Sequence, residues 1–172
     1  MGLNETFEEI YTTYQNRIYL FLFRLCGNAD TAEELTQETF YRAFQSFARY
    51  RGDSTMFTWL ASIAKHTYYA YLHRNRQLAD AISPESALEY YWANEYGKLP
   101  DARDEQELSL VLREWIAALP ERYRDVILLR IYADLPFKQV AQAMKITENS
   151  AKVLFFRAKN MLKEKLEHEL EL

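Results

Sequence analysis

The sequence contains few of the residues that interrupt helices. Its 172 residues include only four glycines and four prolines, whereas tyrosine and phenylalanine number 13 and 10. Hydrophobic residues make up 49% of the chain. This composition excludes a disordered chain and is typical of helices packed around a core. We predict an all-α fold, built as one ordinary domain or two small ones.

Cysteine and long apolar runs are also scarce. The single cysteine, Cys26, excludes an intrachain disulfide, and its apolar helical setting favours a small core residue over a nucleophile. The first residues, MGLNETFEEIY, lack a basic start followed by an apolar run, so no secretory signal is predicted. No run approaches the roughly 18 apolar residues that a membrane helix requires. We therefore expect a cytoplasmic protein without direct membrane insertion.

Charge is distributed unevenly along the chain. The net charge of −4 argues at first against a nucleic-acid partner. Residues 1–78 are neutral overall, residues 79–107 carry −6 and residues 108–172 carry +2. The segment 145–165 alone carries +4. Because local charge is more informative than the total, this segment is a candidate for nucleic-acid binding.

Turn residues and composition divide the chain into domains. Three helices are predicted in the N-terminal part, at about residues 5–26, 31–48 and 55–76. The next stretch contains Pro84, Gly97, Pro100 and most of the acidic excess, and it lacks sustained periodicity. We predict an N-terminal helical domain at 1–77, an acidic linker at 78–107 and a C-terminal helical domain at 108–172.

The C-terminal domain has the layout of a helix-turn-helix. A short helical segment, FKQVAQAM, is followed by the turn KIT and by a long helix that Thr147 is predicted to cap. The long helix has an apolar stripe: Ala151, Leu154, Phe155, Ala158, Leu162 and Leu166. A second stripe contains Asn149, Lys152, Phe156, Lys159 and Lys163.

The second stripe suits a duplex groove. Cations neutralise phosphates there, and an exposed ring can touch a thymine methyl group or a sugar. The alternative is that both phenylalanines lie on one wide apolar face and that the lysines are only solvated.

A second basic and aromatic cluster lies at residues 49–76. Its rings are Tyr50, Phe57, Trp59, Tyr68, Tyr69 and Tyr71, and its basic residues are Arg49, Arg51, Lys65, His66, Arg74 and Arg76. No acidic residue occurs from Ser54 to Ala79. Exposed rings can stack on unpaired bases while cations follow the backbone. The alternative is that Trp59 and several tyrosines belong to the core and that the arginines are only solvated.

Patterns for catalysis or metal binding are weak. His66 and His73 are about 10 Å apart along a helix, too far to share a metal ion. The four glycines are too scattered to form a phosphate-binding loop. Glu33, Glu34 and Glu38 have the spacing of a solvated helix face or a protein contact. We predict that the protein is not an enzyme and has no metal site, cofactor or small-molecule substrate.

Two stretches resemble a known family. Residues 32–74 have the sequence AEELTQETFYRAFQSFARYRGDSTMFTWLASIAKHTYYAYLHR. They resemble the region in which bacterial sigma factors of the extracytoplasmic-function (ECF) class of the sigma-70 family are most alike. ALPERYRDVILLRIYADLPFKQVAQAMKITENSAKVLFFRAKNMLK, residues 118–163, resembles their second, promoter-binding domain. Either half alone would be less specific than LTQETFYRAF, FTWLASIA and LPERYRDVILLR in this order. With the linker, the resemblance covers nearly the whole chain.

The resemblance implies a subunit that joins core RNA polymerase and opens promoter DNA at chosen sites. Docking on the polymerase would involve Glu34, Gln37, Glu38 and Arg42. Binding of the opened −10 strand would involve Arg51, Gly52, Asp53, Ser54, Phe57, Lys65, His66, Tyr69 and Arg74. Binding of the −35 duplex would involve Asn149, Lys152, Phe156, Arg157, Lys159 and Lys163. The family also implies an anti-sigma factor as an inhibitory partner.

Some residues depart from the family pattern. The family often has Asn where His66 stands and Asp or Asn where Ala70 stands, and Val153 and Leu154 replace residues that are commonly polar or basic. These departures leave the promoter sequence open and predict weak DNA binding by the isolated protein. The alternative function is a helix-turn-helix regulator or a helical protein-interaction adaptor that acts without polymerase. Such a regulator would bind its duplex site alone.

Overall fold

The computed structural model describes residues 6–81 and 112–170. The helices are α1 (Phe7–Cys26), α2 (Ala29–Ser46), α3 (Met56–Ala81), α4 (residues 112–118), α5 (Glu121–Ile127), α6 (Phe137–Met144) and α7 (Glu148–Leu170). A 3-10 turn, Phe47–Arg49, follows α2, and α5 continues directly into a π-helical turn, Leu128–Tyr132. These two stretches contain no strand, and the all-α prediction is confirmed.

Capping residues define the start of α1 and its junction with α2. The Thr6 hydroxyl accepts a hydrogen bond from the Glu9 N–H, and the Glu9 carboxylate accepts one from the Thr6 N–H at 2.8 Å. Helix α1 ends at Gly27, whose φ of 70° is left-handed and costs glycine little. The Asn28 side chain then accepts from the Thr31 N–H at 2.9 Å and caps α2. This short connection makes α1 and α2 antiparallel neighbours.

Helices α1, α2 and α3 bury a shared apolar core. Fully buried side chains include Ile10, Ile18, Phe21, Leu22 and Leu60. Each contributes about 1.5–3 kcal/mol of transfer free energy. The core fixes which faces of α2 and α3 remain on the surface.

The C-terminal unit contains the predicted helix-turn-helix. Helix α6 ends at Lys145, which has a φ of 54°, and the Ile146 N–H donates to the Ala141 carbonyl at 3.0 Å. The predicted cap of the last helix is present, because the Ser150 N–H donates to the Thr147 hydroxyl at 3.1 Å. The chain therefore turns from α6 into α7 with Lys145, and not a glycine, in the left-handed conformation.

The two stripes of α7 lie on different faces, as predicted. Ala151 and Ala158 are buried, and the Phe155 ring meets the Phe137 ring edge-on at 5.4 Å. Leu166 is the last residue of the predicted apolar stripe, but it is 39% exposed. The stripe is therefore not covered at this end of α7. Phe156 is 59% exposed, so its ring does not share the packed position of the Phe155 ring.

The two helical units pack against each other through α3, an arrangement that the sequence did not indicate. The Thr58 hydroxyl donates to the Gln139 side chain at 3.3 Å, and Lys65 forms an ion pair with Asp125. Helix α3 also extends to Ala81, past its expected end at residue 76. The first residues of the expected linker therefore continue the helix, and residues 82–107 lie outside the described part.

Candidate nucleic-acid interface

The outer face of α7 combines an exposed ring with cations. Phe156 is 59% exposed and Val153 is 47% exposed. Arg157, Lys159 and Lys163 are also exposed. Because α7 packs on α5 and α6 through its opposite face, this face remains accessible in the described part of the chain.

Two of the α7 cations already have intrahelical partners. The Lys152 ammonium lies 2.9 Å from a Glu148 carboxylate oxygen, and that of Lys163 lies 3.5 Å from a Glu167 oxygen. Such exposed pairs between residues four apart are weak and exchange readily for another anion. Asn149 is exposed at the N-terminal end of the face, where its amide can reach a base edge. The face thus offers phosphate binding, apolar contact and one hydrogen-bonding amide.

The loop that precedes α3 is a second exposed surface. Arg51, Gly52 and Asp53 are exposed, and Ser54 is half-buried. The Tyr50 hydroxyl donates to the Ser54 carbonyl and closes the loop. Gly52 has a φ of 76°, and a Cβ there would meet nothing within 4 Å, so the backbone conformation and not crowding favours glycine.

Phe57 is not available at this surface, which corrects the prediction that it contacts the −10 strand. It is only 5% exposed because α3 directs it onto α1. The Arg17 guanidinium lies 3.6 Å from the centre of its ring, and the Tyr14 ring stacks 6.5 Å away. Its role in this structure is to pack α3 on α1.

Lys65 and Tyr69 face the C-terminal unit instead of solvent, which corrects their predicted exposure. Lys65 is 5% exposed, and its ammonium lies 2.7 Å from Asp125 Oδ2. Tyr69 is half-buried under the Arg124 guanidinium, 3.9 Å from the ring centre, and burial raises the pKa of Tyr69 well above its ordinary value. Domain packing, which helix periodicity does not reveal, covers both side chains.

His66 remains exposed beside the buried Lys65. Partial burial of the ring and then the Lys65 charge lower the pKa of His66 from its ordinary value of 6.5. The ring is therefore neutral near pH 7, with one donor and one acceptor nitrogen. A neutral imidazole can hydrogen-bond to the edge of an unpaired base.

The outer face of α2 forms a third surface. Glu34 and Gln37 are exposed, and Glu38 pairs with Arg42 at 2.6 Å in a partly exposed ion pair. Arg74 lines the same shallow groove as Glu34, Gln37 and Glu38. The structure therefore places Arg74 beside the residues predicted to contact the polymerase, away from the loop with which the sequence grouped it.

Two exposed rings of α2 were missed in the sequence. Tyr41 is 60% exposed and Phe44 is 64% exposed. Tyr41 lines the α2 groove, and the Phe44 ring meets the Phe7 ring edge-on at 5.2 Å. The available signal was their spacing, since Tyr41 lies one helical turn beyond Gln37 on the same face.

The remaining chemistry of the described residues is limited. Burial raises the pKa of the Cys26 thiol, which donates to the Asn28 carbonyl at 3.3 Å and so has little thiolate character. No group of three or more His, Cys, Asp or Glu side chains converges there as a metal site. No helix in that part of the chain is long and apolar enough to cross a membrane.

Comparison with known proteins identifies the family. A family model for Sigma-70 region 2 matches residues 10–77, and one for Sigma-70, region 4 matches residues 109–162. The ECF RNA polymerase sigma factor SigM of Bacillus subtilis is 28% identical, over 92% of this chain and 93% of its own length. The ECF RNA polymerase sigma-E factor of Haemophilus influenzae is 28% identical, over 96% and 90%.

Solved structures share the fold. The sigma factor RpoE, determined with the anti-sigma factor NepR from Bartonella quintana, has a TM-score of 0.57 and 20% identity over 94% of this chain and 96% of its own. CnrH, determined with the cytosolic domain of CnrY, has a TM-score of 0.58 and 14% identity over 94% and 88%.

The two matched regions, in this order, together with the helix-turn-helix and the basic face of α7, define a sigma factor, and the chain belongs to the sigma-70 family. Within that family it is an ECF RNA polymerase sigma factor. It binds core RNA polymerase and directs transcription initiation at promoter DNA.

Proposed function

We propose that this sigma factor divides promoter recognition between the outer face of α7 and the loop before α3. The face of α7 binds the −35 duplex through Asn149, Lys152, Phe156, Arg157, Lys159 and Lys163. The loop and the neighbouring face of α3 bind the opened −10 strand through Arg51, Gly52, Asp53, Ser54, His66 and, once uncovered, Lys65 and Tyr69. The observation that best supports this proposal is that Phe156 is exposed among cations on the last helix of a helix-turn-helix.

The duplex assignment is supported by the geometry of α7. A recognition helix enters the major groove with its first turns, and Asn149, Lys152 and Phe156 lie in the first turns of α7. Lys159 and Lys163 lie further along, where they can meet phosphates flanking the groove. The ring of Phe156 supplies the apolar contact that a thymine methyl group accepts.

The strand assignment is supported by the loop 51–54. It is exposed, it carries Arg51 for the backbone, and the left-handed Gly52 leaves the loop surface free of a side chain. His66, about three helical turns further along α3, adds a neutral donor and acceptor on an exposed part of that helix. The half-buried rings of Tyr50 and Trp59, whose centres lie 5.0 Å apart, are the candidates for stacking on bases at this surface.

Core polymerase is proposed to contact the outer face of α2. Glu34, Gln37, Glu38 and Arg42 form its polar part, and Tyr41 supplies a large exposed ring of the type that anchors protein interfaces. We assign Arg74 to this surface as well, because it lines the same groove.

The remaining features follow from this division. We propose domains at 1–77 and 108–172, joined by the acidic segment 78–107. A linked pair of weak DNA contacts gains from effective concentration, so neither surface needs high affinity alone.

We also propose an anti-sigma factor as a partner and a cytoplasmic location. We propose no catalytic activity, because a sigma factor positions polymerase without doing chemistry itself.

Reconstitution tests the division. Purified protein and core polymerase are given a library of promoter fragments, and initiated transcripts are sequenced. We expect transcripts from fragments that share an upstream and a downstream element. Two results would contradict the proposal: a lack of enriched elements, or duplex binding by the protein alone that polymerase leaves unchanged in affinity and sequence preference.

A further inference from the structure

Two arginines of the C-terminal unit, Arg113 of α4 and Arg124 of α5, line a small cavity against α3. Tyr69 of α3 lines the same cavity, and the Arg124 guanidinium lies 3.9 Å from the centre of its ring. A Cβ on Gly27 would collide with the Arg113 guanidinium, so this group is packed closely against the junction of α1 and α2. Packing around the cavity therefore holds both guanidinium groups in place.

Three buried polar atoms of these residues have no hydrogen-bond partner among the described residues. They are Tyr69 Oη, Arg113 Nε and Arg124 Nε. Each can donate a hydrogen bond, and a guanidinium group cannot accept one. A buried donor that stays unpaired costs free energy. The residues that carry these three donors surround one cavity, so a single acceptor there would serve all of them.

No carboxylate of the described residues pairs with either guanidinium group. The ion pairs found in this part of the chain include neither Arg113 nor Arg124. Asp125 follows Arg124 in the sequence, but it does not line the cavity, and the Lys65 ammonium binds its Oδ2 at 2.7 Å. Its Oδ1 accepts no hydrogen bond from either arginine. Two positive charges therefore meet at the cavity without a negative partner.

The other ionisable side chains around the cavity are neutral at pH 7. Burial raises the pKa of Tyr68, Tyr69 and Tyr132 above the ordinary value for a phenol. Burial also raises the pKa of the Cys26 thiol, which lies within electrostatic reach of Arg113. Neutral phenols and a neutral thiol contribute no negative charge. The anion that matches the two arginines must therefore come from solution.

The size of the cavity selects the anion. Its free volume is about 10 Å³, enough for one water molecule or one monatomic ion. Sulfate and phosphate carry four oxygens each and are too large. A water molecule fits, but it has no charge and only two lone pairs for three donors. A halide ion accepts several hydrogen bonds and also balances positive charge.

We propose that this cavity binds a single chloride ion, held by the guanidinium groups of Arg113 and Arg124 and by the Tyr69 hydroxyl. The ion contacts α3, α4 and α5 together. Because the unfolded chain does not assemble this site, chloride stabilises the folded protein specifically, beyond the screening that any salt provides. The site does not depend on how promoter DNA is recognised, so failure of the proposed function leaves it standing.

Chloride NMR of the full chain detects the ion directly. Sodium chloride is titrated against sodium gluconate at constant ionic strength, since gluconate is too large for the cavity. We expect a broadening of the chloride signal that bromide reverses by competition. Arg113→Met removes one guanidinium group from the cavity and should abolish this broadening. Arg122→Met removes an exposed cation from α5 and should retain it.

Urea unfolding in the same buffers measures the effect on stability. At a chloride concentration about ten times the dissociation constant, the ratio of folded to unfolded protein should rise about elevenfold over that in gluconate. The rise should persist in Arg122→Met and be absent in Arg113→Met. Tyr69→Phe keeps the ring and serves if Arg113→Met does not fold. It should weaken chloride binding about tenfold, because a hydrogen bond to a charged group is lost.

Crystals grown in sodium bromide locate the ion by anomalous scattering. We expect a bromide peak between Arg113, Arg124 and Tyr69. A water molecule alone at this position, or bromide only at exposed cations as an adventitious ion, would overturn the proposal. Chloride broadening that both Arg113→Met and Tyr69→Phe retain at full strength would overturn it as well, because the ion would then bind elsewhere.

Discussion

Phe155 and Phe156 show how adjacent residues of one helix acquire different roles. Phe155 is half-buried, packs on Phe137 and lies 5.7 Å below the Lys159 ammonium, whereas Phe156 is 59% exposed. The 3.6-residue period predicted this difference, because consecutive side chains are about 100° apart around the helix axis. The packed ring of Phe155 stabilises the fold, whereas the exposed ring of Phe156 is free to contact a ligand.

The first prediction concerns these two rings. Phe156→Ala should change the free energy of unfolding by no more than about 0.5 kcal/mol, since the ring is exposed. Phe155→Ala should cost about 2–3 kcal/mol, because it removes a ring packed against α6. Urea unfolding measures both. Only Phe156→Ala should weaken promoter binding by the polymerase complex without destabilising the protein, and equal losses of stability would show that Phe156 is a core residue.

The second prediction concerns the cations of α7. Arg157→Ala should lower the slope of log K against log salt for promoter duplex binding by about 0.9, the value for one phosphate contact. Lys152→Ala should lower it by less, because Glu148 already lies 2.9 Å from the Lys152 ammonium. Arg122→Ala, which removes an exposed cation from α5, is the matched control. Unchanged slopes for both α7 variants would contradict the groove assignment.

The third prediction follows from the lowered pKa of His66. Its folded pKa lies below the ordinary 6.5, so the folded state binds fewer protons than the unfolded state between the two values. The stabilisation is fully present above about pH 6.5 and is lost as the pH falls below it. His66→Gln should remove this component, so melting temperatures from pH 5 to 8 should fall less steeply on the acid side than in the unaltered protein. Identical pH profiles would contradict a lowered pKa in the folded protein.

At the scale of the elements, most helix positions could be predicted, because caps and turn residues are local signals. The side chains of Thr147 and Asn28 mark helix starts because they accept hydrogen bonds from backbone N–H groups, and Gly27 marks a helix end because its N–H donates to the Phe23 carbonyl. The long extension of α3 to Ala81 carried no comparable signal, since its sequence has no breaker before Pro84. The covered faces of α3 were missed for a different reason. Lys65 and Asp125 are 60 residues apart, and no periodicity links them.

The fourth prediction tests the cap that aims the recognition helix. Thr147→Ala should destabilise the protein by about 1 kcal/mol, because the Ser150 N–H loses its acceptor at the start of α7. Thr13→Ala, at an exposed position within α1, should be neutral or slightly stabilising, since alanine has the higher helix propensity. Chemical denaturation of the two variants makes the comparison. A Thr147→Ala variant as stable as Thr13→Ala would mean that the hydroxyl does not cap α7.

At the scale of the whole molecule, the described residues present three surfaces with different chemistry. The outer faces of α7 and α2 are accessible together, whereas the part of α3 that carries Lys65 is covered by the C-terminal unit. The family and the general role followed from ordered motifs in the sequence. The closed arrangement did not, because it depends on how two units dock. Phe57 illustrates the same limit, since an aromatic residue near a basic cluster can as readily be a core residue.

The central claim, that the outer face of α7 reads the −35 duplex, is tested most directly by comparing transcription from two templates. One carries the −35 element found in the enriched promoters, and the other has that element scrambled while keeping the −10 element. The unaltered protein with core polymerase should initiate much more often on the first. The double variant Phe156→Ala, Arg157→Ala should initiate at the same low level on both while still binding polymerase. A double variant that still favours the first template as strongly as the unaltered protein would contradict the account.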